Sequence, residues 1–188
     1  LAASRDPKKT HGFAKRKAKE DLVISGADFF TESMLQIDPK TQILWQFKNG
    51  DRVRKDQIVC TLNGHLPSIL KAERVGLNFL GHLSGIATLT RKFVEAALPH
   101  DTQILDTRKT TPLLRDWEKQ AVHHGGGVNY RRDLSDRVMI KDNHIAMMGS
   151  ITEAVRTLRL AHAGSLIVEA CTLDQVLECI SLKVDRIM

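Results

Sequence analysis

Cysteine is scarce: Cys60, Cys171 and Cys179 are an odd number in 188 residues and show no C-x-x-C spacing. Neither a disulfide framework nor a tetrahedral zinc site is indicated, and buried free thiols are the plain expectation. Aromatic residues are sparse too, with one Tyr and two Trp, so there is little from which to build a base-stacking surface for nucleic acid. No segment approaches the roughly 20 uninterrupted apolar residues of a membrane-spanning helix. The opening Leu1-Ala2-Ala3-Ser4-Arg5-Asp6 has neither the charged flank nor the apolar core of a signal peptide. These absences predict a cytoplasmic protein without a membrane partner. Its 42% hydrophobic and 27% charged residues exclude disorder and suit one domain or two small ones.

Lys and Arg number 28 against 22 Asp and Glu, a formal charge of +6. Such an excess calls for a nucleic acid, a membrane surface or small anionic ligands. The densest basic run, Lys8-Lys9 through Lys15-Arg16-Lys17 and Lys19, reads most simply as a solvated face, with nucleic-acid binding as an alternative. The chain begins without Met, and Val184-Asp185-Arg186-Ile187-Met188 reads as the interior of a strand. A piece of a longer protein is expected.

Up to about residue 63 the pattern is β-rich: Ile43 to Phe47, the turn signal Asn49-Gly50, then Gln57 to Leu62. From Pro67, apolar residues recur at helical spacing to Leu98, with interruptions near Gly81 and Gly85 that predict two helices. Beyond residue 100, short apolar runs at Ile104-Leu105, Val138 to Ile140, Leu166 to Val168 and Val184 to Met188 alternate with helical segments. Ser150-x-x-Glu153 and Thr172-x-x-Gln175 fit capping boxes. Gly164 is expected to stop the first of those helices, and Gly125 a helix running from Pro112 to His123. Two domains follow, 1–98 and 99–188, the second an α/β segment with a parallel sheet.

The residues that follow the strands set this half apart. Thr107, Arg108 and Lys109 come after Ile104-Leu105-Asp106, Lys141 after Ile140, and Glu169 after Val168. In a parallel barrel the C-terminal strand ends share one mouth, where catalytic groups sit. Arg131, shortly after Gly125-Gly126-Gly127, is a candidate to join them. A Lys or Arg past a strand is often only a solvated loop residue, but four cations repel one another unless an anion joins them, so a polyanionic ligand is expected. The glycine run lacks dinucleotide and Walker spacings and is read as a helix end. His123 and His124 are adjacent, hence no i, i+4 metal pair. Asp142-Asn143-His144 binds a metal, orients Lys141 or is only a structural cluster at a loop start. Ser84, Ser135 and the cysteines show no nucleophile-base pattern.

Several longer segments resemble a known family in order along the chain. They are Ala72-Glu73-Arg74-Val75-Gly76-Leu77-Asn78-Phe79-Leu80, Leu83-Ser84-Gly85-Ile86-Ala87-Thr88, Leu105 to Pro112, Gly125-Gly126-Gly127 and Ile140-Lys141-Asp142-Asn143-His144-Ile145. Together they closely resemble quinolinate phosphoribosyltransferase, the carboxylating nicotinate-nucleotide pyrophosphorylase, over about residues 14 to 188. The resemblance implies an α/β fold: an N-terminal α/β sandwich joined to an irregular β/α barrel that is truncated in this chain. It implies a homodimer or higher homo-oligomer with active sites at the subunit interface, and phosphoribosyl transfer from phosphoribosyl pyrophosphate, with magnesium (Mg2+), to quinolinate. Arg108, Lys109, Arg131 and Lys141 match positions that contact the anionic substrates, Thr107 lies in the same substrate-binding segment, and Arg74 matches an Arg given by the partner subunit. Glu169 matches the carboxylate that holds the ribose hydroxyls, and Lys109, Lys141 and Glu169 form the implied catalytic set. Tyr130 departs from the family's commoner His, and the family's Asp-Asn and glycine-rich phosphate loops would follow Met188. A homologous barrel protein acting on another anionic acceptor, such as the molybdenum-transport-associated type, is the nearest alternative.

Overall fold

The computed structural model describes residues 11–132 and 138–188 and divides into two compact units, Leu1–Tyr130 and Arg131–Met188. Lys8, Lys9 and Ser135, singled out above, lie outside the described residues. In the first unit, β1 (His11–Lys17), β5 (Ile58–His65) and β3 (Gln42–Trp45) form an antiparallel sheet in that spatial order. A second, two-stranded ribbon pairs β2 (Leu22–Val23) with β4 (Arg52–Val53). The strands expected around Ile43 and Ile58 are therefore present. They are not a simple hairpin, because β4 intervenes and the turn at Asn49-Gly50 leads into the ribbon. Of the basic run, Lys15 and Lys17 are exposed on β1, while Arg16 pairs with Glu73 at 2.8 Å.

Helix α1 (Ala27–Ile37) and helix α2 (Leu66–Ala97) cover the other side of the sheet. Phe30 and Met34 of α1, Cys60 and Leu62 of β5 and Ile69, Ala72 and Leu80 of α2 form one buried cluster. Trp45 meets Phe30 edge-on at 5.6 Å and donates its indole N–H to Thr31 Oγ1 at 3.0 Å. Gly26 enters α1 at φ 90°, where a Cβ would lie 2.9 Å from Leu83, so both conformation and space demand glycine.

The two helices expected between Pro67 and Leu98 are one. An interior glycine costs about 1 kcal/mol relative to Ala, and the buried face running through Ile69, Ala72, Leu80, Leu83 and Ala87 outweighs Gly81 and Gly85. Polar contacts fasten the helix beside them: Ser84 Oγ accepts the Ser25 N–H and donates to the Ser25 carbonyl, both at 3.0 Å, and Thr88 Oγ1 accepts the Val23 N–H at 2.9 Å.

Residues 99 to 130 pack within the first unit, although the sequence pattern changes at 98/99. Their helix α3 (Arg115–His124) docks on α1 and α2 through Trp117, whose ring lies 4.7 Å from Phe29 and 5.8 Å from Phe79. Its start falls later than Pro112 because Leu113 adopts a left-handed φ of 66°, and Gly125 closes it as expected. The glycine run does more than end a helix. A Cβ on Gly125 would come within 2.5 Å of the Ala87 carbonyl, and one on Gly127 within 2.9 Å of Thr90, so the run lets this backbone touch α2.

Among the described residues the second unit holds three parallel strands in the order β6 (Val138–Ile140), β7 (Leu166–Val168) and β8 (Arg186–Ile187). Helices α4 (Asp142–Met148), α5 (Ile151–Ala161) and α6 (Leu173–Ser181) alternate with them. Ile140, Ile151, Ala154, Val155, Leu166, Val168 and Cys179 form its buried core. Of the two expected capping boxes the hydroxyl half forms, Ser150 Oγ accepting the Glu153 N–H at 3.1 Å and Thr172 Oγ1 the Gln175 N–H at 3.2 Å. The N3 side chains turn elsewhere, Glu153 to Arg156 and Gln175 to the Cys171 N–H. Gly164 is not the stop of α5: the helix ends at Ala161 because His162 turns to an extended φ of −145°.

Candidate active site

The first cationic segment begins where Leu105 forms a single parallel bridge with Val128. Asp106 continues it, its N–H reaching the Val128 carbonyl at 3.2 Å. Thr107 and Lys109 are exposed and Arg108 is half-buried. Thr107 Oγ1 accepts the Lys109 N–H at 3.1 Å, folding the loop on itself. Arg115, at the start of α3, binds the loop from below: its Nε donates to Thr110 Oγ1 at 3.2 Å and its Nη2 to the Arg108 carbonyl at 3.4 Å.

The base of this loop is ionic and buried. Lys119 Nζ lies 2.7 Å from Asp106 Oδ1, with both side chains 5% exposed. Asp106 Oδ1 also accepts the Tyr130 N–H at 2.8 Å. With its amide turned to satisfy both neighbours, Asn129 Nδ2 donates to Asp106 Oδ2 at 2.9 Å and to the Lys119 carbonyl at 2.8 Å. Glu118, the adjacent residue, lies 2.8 Å from His82 Nε2 through Oε1 and accepts the Thr111 N–H at 3.1 Å through Oε2. Burial opposes its ionisation, but the hydrogen bonds from Thr111 and His82 prevail and hold the carboxyl below the ordinary range.

In the second unit, Lys141 follows β6 and Glu169 follows β7, and the parallel register puts them side by side at the C-terminal strand ends. The Glu169 N–H extends the ladder to the Ile140 carbonyl at 3.0 Å. Lys141 Nζ and Glu169 Oε2 are 3.9 Å apart, with side chains 49% and 45% exposed. Exposed pairs of this kind contribute about 0–1 kcal/mol, so both charges remain open to a ligand. His144 fixes the lysine's backbone, its Nδ1 accepting the Lys141 N–H at 3.0 Å. Within the Asp142-Asn143-His144 segment, it is His144 that holds the Lys141 backbone, while Asp142 Oδ1 accepts the Asn143 N–H at 2.7 Å. Among the described residues no group of three or more His, Cys, Asp and Glu side chains is placed to hold a metal. Arg131 is half-buried, with Nη2 3.8 Å from Met139 Sδ.

The structure therefore brings Lys141 and Glu169 together and, separately, places Thr107, Arg108 and Lys109 on one loop. Arg74 stands exposed on α2 of the first unit, beside Glu73, which Arg16 engages. His124 Nδ1 is 2.9 Å from Ser25 Oγ, a contact that seats the end of α3. Burial and then neighbouring His123 lower the His124 pKa, with Asp28 opposing them. All three cysteines are free; burial pushes the Cys60 thiol up to about 12. Cys60 and Cys179 are buried as expected, whereas Cys171 is exposed.

Sequence reasoning missed Glu118, Lys119, His82 and Arg115, and treated Asp106 only as part of a motif. One signal was available. Glu118 and Lys119 fall between Trp117 and Ala121, on turns of α3 that pack inward, and charged residues are rarely buried unless paired.

The family model described as quinolinate phosphoribosyl transferase, N-terminal domain, matches residues 2–84, and that for the C-terminal domain matches residues 86–188. A Synechocystis sp. protein named "Probable nicotinate-nucleotide pyrophosphorylase (carboxylating)" is 44% identical over 179 residues, covering 94% of this chain and 61% of that protein. The solved structure of the nicotinate-nucleotide pyrophosphorylase from Francisella tularensis superposes with a TM-score of 0.90 at 37% identity, over 95% of this chain and 64% of that one. The NadC structure from Streptococcus pyogenes gives 0.88 at 40% identity, over 97% and 66%. The chain spans about three fifths of the length of the curated relatives it matches, 61% and 60% for those of Synechocystis and Bacillus subtilis.

Proposed function

The chain belongs to the quinolinate phosphoribosyltransferase family, and on that premise we propose that its protein transfers phosphoribosyl from phosphoribosyl pyrophosphate to the ring nitrogen of quinolinate. Pyrophosphate and carbon dioxide are released and nicotinate mononucleotide is formed for NAD biosynthesis. The observation that carries this reading is the lysine and carboxylate side by side at adjacent parallel strand ends, Lys141 and Glu169, 3.9 Å apart. Such a pair suits a substrate that carries both anionic groups and ribose hydroxyls.

In this reading Arg108, Lys109, Arg131 and Lys141 bind carboxylates and phosphates, with Thr107 in the same binding segment. Charge-assisted hydrogen bonds of about 1.5–3 kcal/mol each orient those groups. Glu169 holds the ribose hydroxyls and stabilises positive charge developing at the anomeric carbon. Once the ring nitrogen is ribosylated and cationic, it stabilises the electron pair left on the ring carbon by the departing carboxylate, and a proton from water then takes the carboxylate's place, so no separate base is required. Arg74 serves the site of a partner subunit in a homodimer or larger assembly, which its exposed position on α2 permits. Functionally the division falls at 98/99, with residues 99–188 supplying the barrel segment.

Magnesium would enter with the pyrophosphate group. Mg2+ is commonly held by substrate phosphates, water and one or two carboxylates, so it would come to this site with the donor substrate. Its chemistry there is to offset the charge of the leaving pyrophosphate. No helix among the described residues is long and apolar enough to cross a membrane; with three free cysteines, a cytoplasmic setting is the reading we adopt.

Calorimetry on the full-length natural protein tests the assignment. Quinolinate should bind, nicotinate far more weakly, and Arg131→Ala should lose most of the quinolinate affinity. A protein indifferent to quinolinate contradicts the assignment, and equal affinity for both acids points to another acceptor.

A further inference from the structure

Two consecutive residues of α3, Glu118 and Lys119, are 8% and 4% exposed. Opposite charges at adjacent buried positions are a costly way to pack a helix, since apolar residues of similar volume commonly serve packing as well or better. Their partners give the reason. Lys119 takes Asp106, the residue before Thr107-Arg108-Lys109, at 2.7 Å. Glu118 takes the backbone N–H of Thr111, two residues after Lys109, at 3.1 Å. One dipeptide thus grips both ends of the loop that carries Arg108 and Lys109.

We propose that Glu118 is a positioning residue for this loop, with His82 of α2 as the group that fixes its carboxylate. His82 Nε2 stands 2.8 Å from Oε1, which leaves Oε2 aimed at the Thr111 N–H. With Asp106 held by Lys119 at one end and Thr111 by Glu118 at the other, Arg108 and Lys109 meet an anion from a preset backbone. Holding such groups in place ahead of binding is what preorganisation requires. The carboxylate stays ionised because the hydrogen bonds from Thr111 and His82 outweigh its burial. The inference rests on the proposed reading only in naming the anion as the substrate's.

The test uses the full-length protein, Glu118→Ala and Glu118→Gln, with two readouts: amide hydrogen exchange over residues 107–111, and quinolinate affinity by calorimetry. Gln retains an oxygen for the Thr111 N–H, so it serves as the conservative rescue. The expected result is faster exchange of the Thr111 amide and affinity weaker by on the order of tenfold in Glu118→Ala, with both largely restored in Glu118→Gln. Unchanged exchange in Glu118→Ala overturns the clamp. Faster exchange with unchanged affinity also overturns it, because the residue would then be merely structural. Should wild type fail to bind quinolinate, the functional reading falls by itself, and exchange of the 107–111 amides alone decides whether Glu118 holds the loop.

Discussion

Arg108 and Lys109 stand on a loop whose base is a set of buried charges, whereas Lys141 and Glu169 stand on strands whose base is aliphatic. Beneath the loop lie Asp106, Glu118 and Lys119, each satisfied by named partners. Beneath the strand ends lie Ile140, Leu166, Ile167 and Val168, all 1% exposed or less. A parallel ladder fixes the position of the residue that follows it through register alone, because a slip of one residue would turn an aliphatic face outward. A loop after a single bridge has no such ruler, and specific polar contacts replace it. The two regions should accordingly fail in different ways.

The largest effect is expected from Lys119→Met, which strands the Asp106 carboxylate in the interior. Removing one partner of a buried pair costs about 3–5 kcal/mol, and urea denaturation should show it in the first unit. A loss below about 1 kcal/mol would mean that the pair behaves as a solvated one and would erase the contrast. Ile167→Ala probes the other base. Deleting that much buried aliphatic volume costs about 2–5 kcal/mol, and hydrogen exchange should rise across β6 to β8. If it rises instead in the 107–111 loop, the two regions are not independently built.

A smaller gain is expected at Leu113, which is 96% exposed at φ 66°. Leu113→Gly relieves a left-handed conformation that costs roughly 1–2 kcal/mol in an L-residue, offset by the extra freedom glycine gives the unfolded chain. Net stabilisation of about 0.5–1 kcal/mol should appear in thermal melts.

Acid should separate two anchors of the first unit by pH window. The folded pKa of His124 is lowered, so the stability it contributes is full above its unfolded value near 6.5 and is lost as pH falls from there through the folded value. Glu118 is also lowered, so its contribution is present above about 4.3 and is lost only as pH falls through a still lower value. His124→Gln should flatten the stability profile below pH 7 and Glu118→Gln the profile below about 4.5, as followed by urea midpoints at each pH.

The same contrast explains what was legible in the sequence. The strands ending at Ile140 and Val168, their caps at Ser150 and Thr172, and the placement of Lys141 and Glu169 follow from local periodicity and cap chemistry, which a linear reading sees. The clamp on the cationic loop was not visible, since Lys119 reaches Asp106 across 13 residues and Glu118 reaches His82 across 36. Helix α2 was misread as two because Gly81 and Gly85 are local signals, while the face that overrides them is tertiary. The role of Gly125 and Gly127 was only half read for the same reason, their requirement being the approach of Ala87 and Thr90.

In the proposed reading Glu169 acts on the ribosyl donor while quinolinate is held chiefly by the cations. Carbon dioxide release from quinolinate in the presence of phosphoribosyl pyrophosphate, measured for the full-length protein and for Glu169→Gln alongside quinolinate affinity, tests it most directly. Wild type should release carbon dioxide, and Glu169→Gln should lower turnover by on the order of tenfold or more while leaving quinolinate affinity nearly unchanged. Unaltered turnover in Glu169→Gln, or no release by wild type, would contradict it.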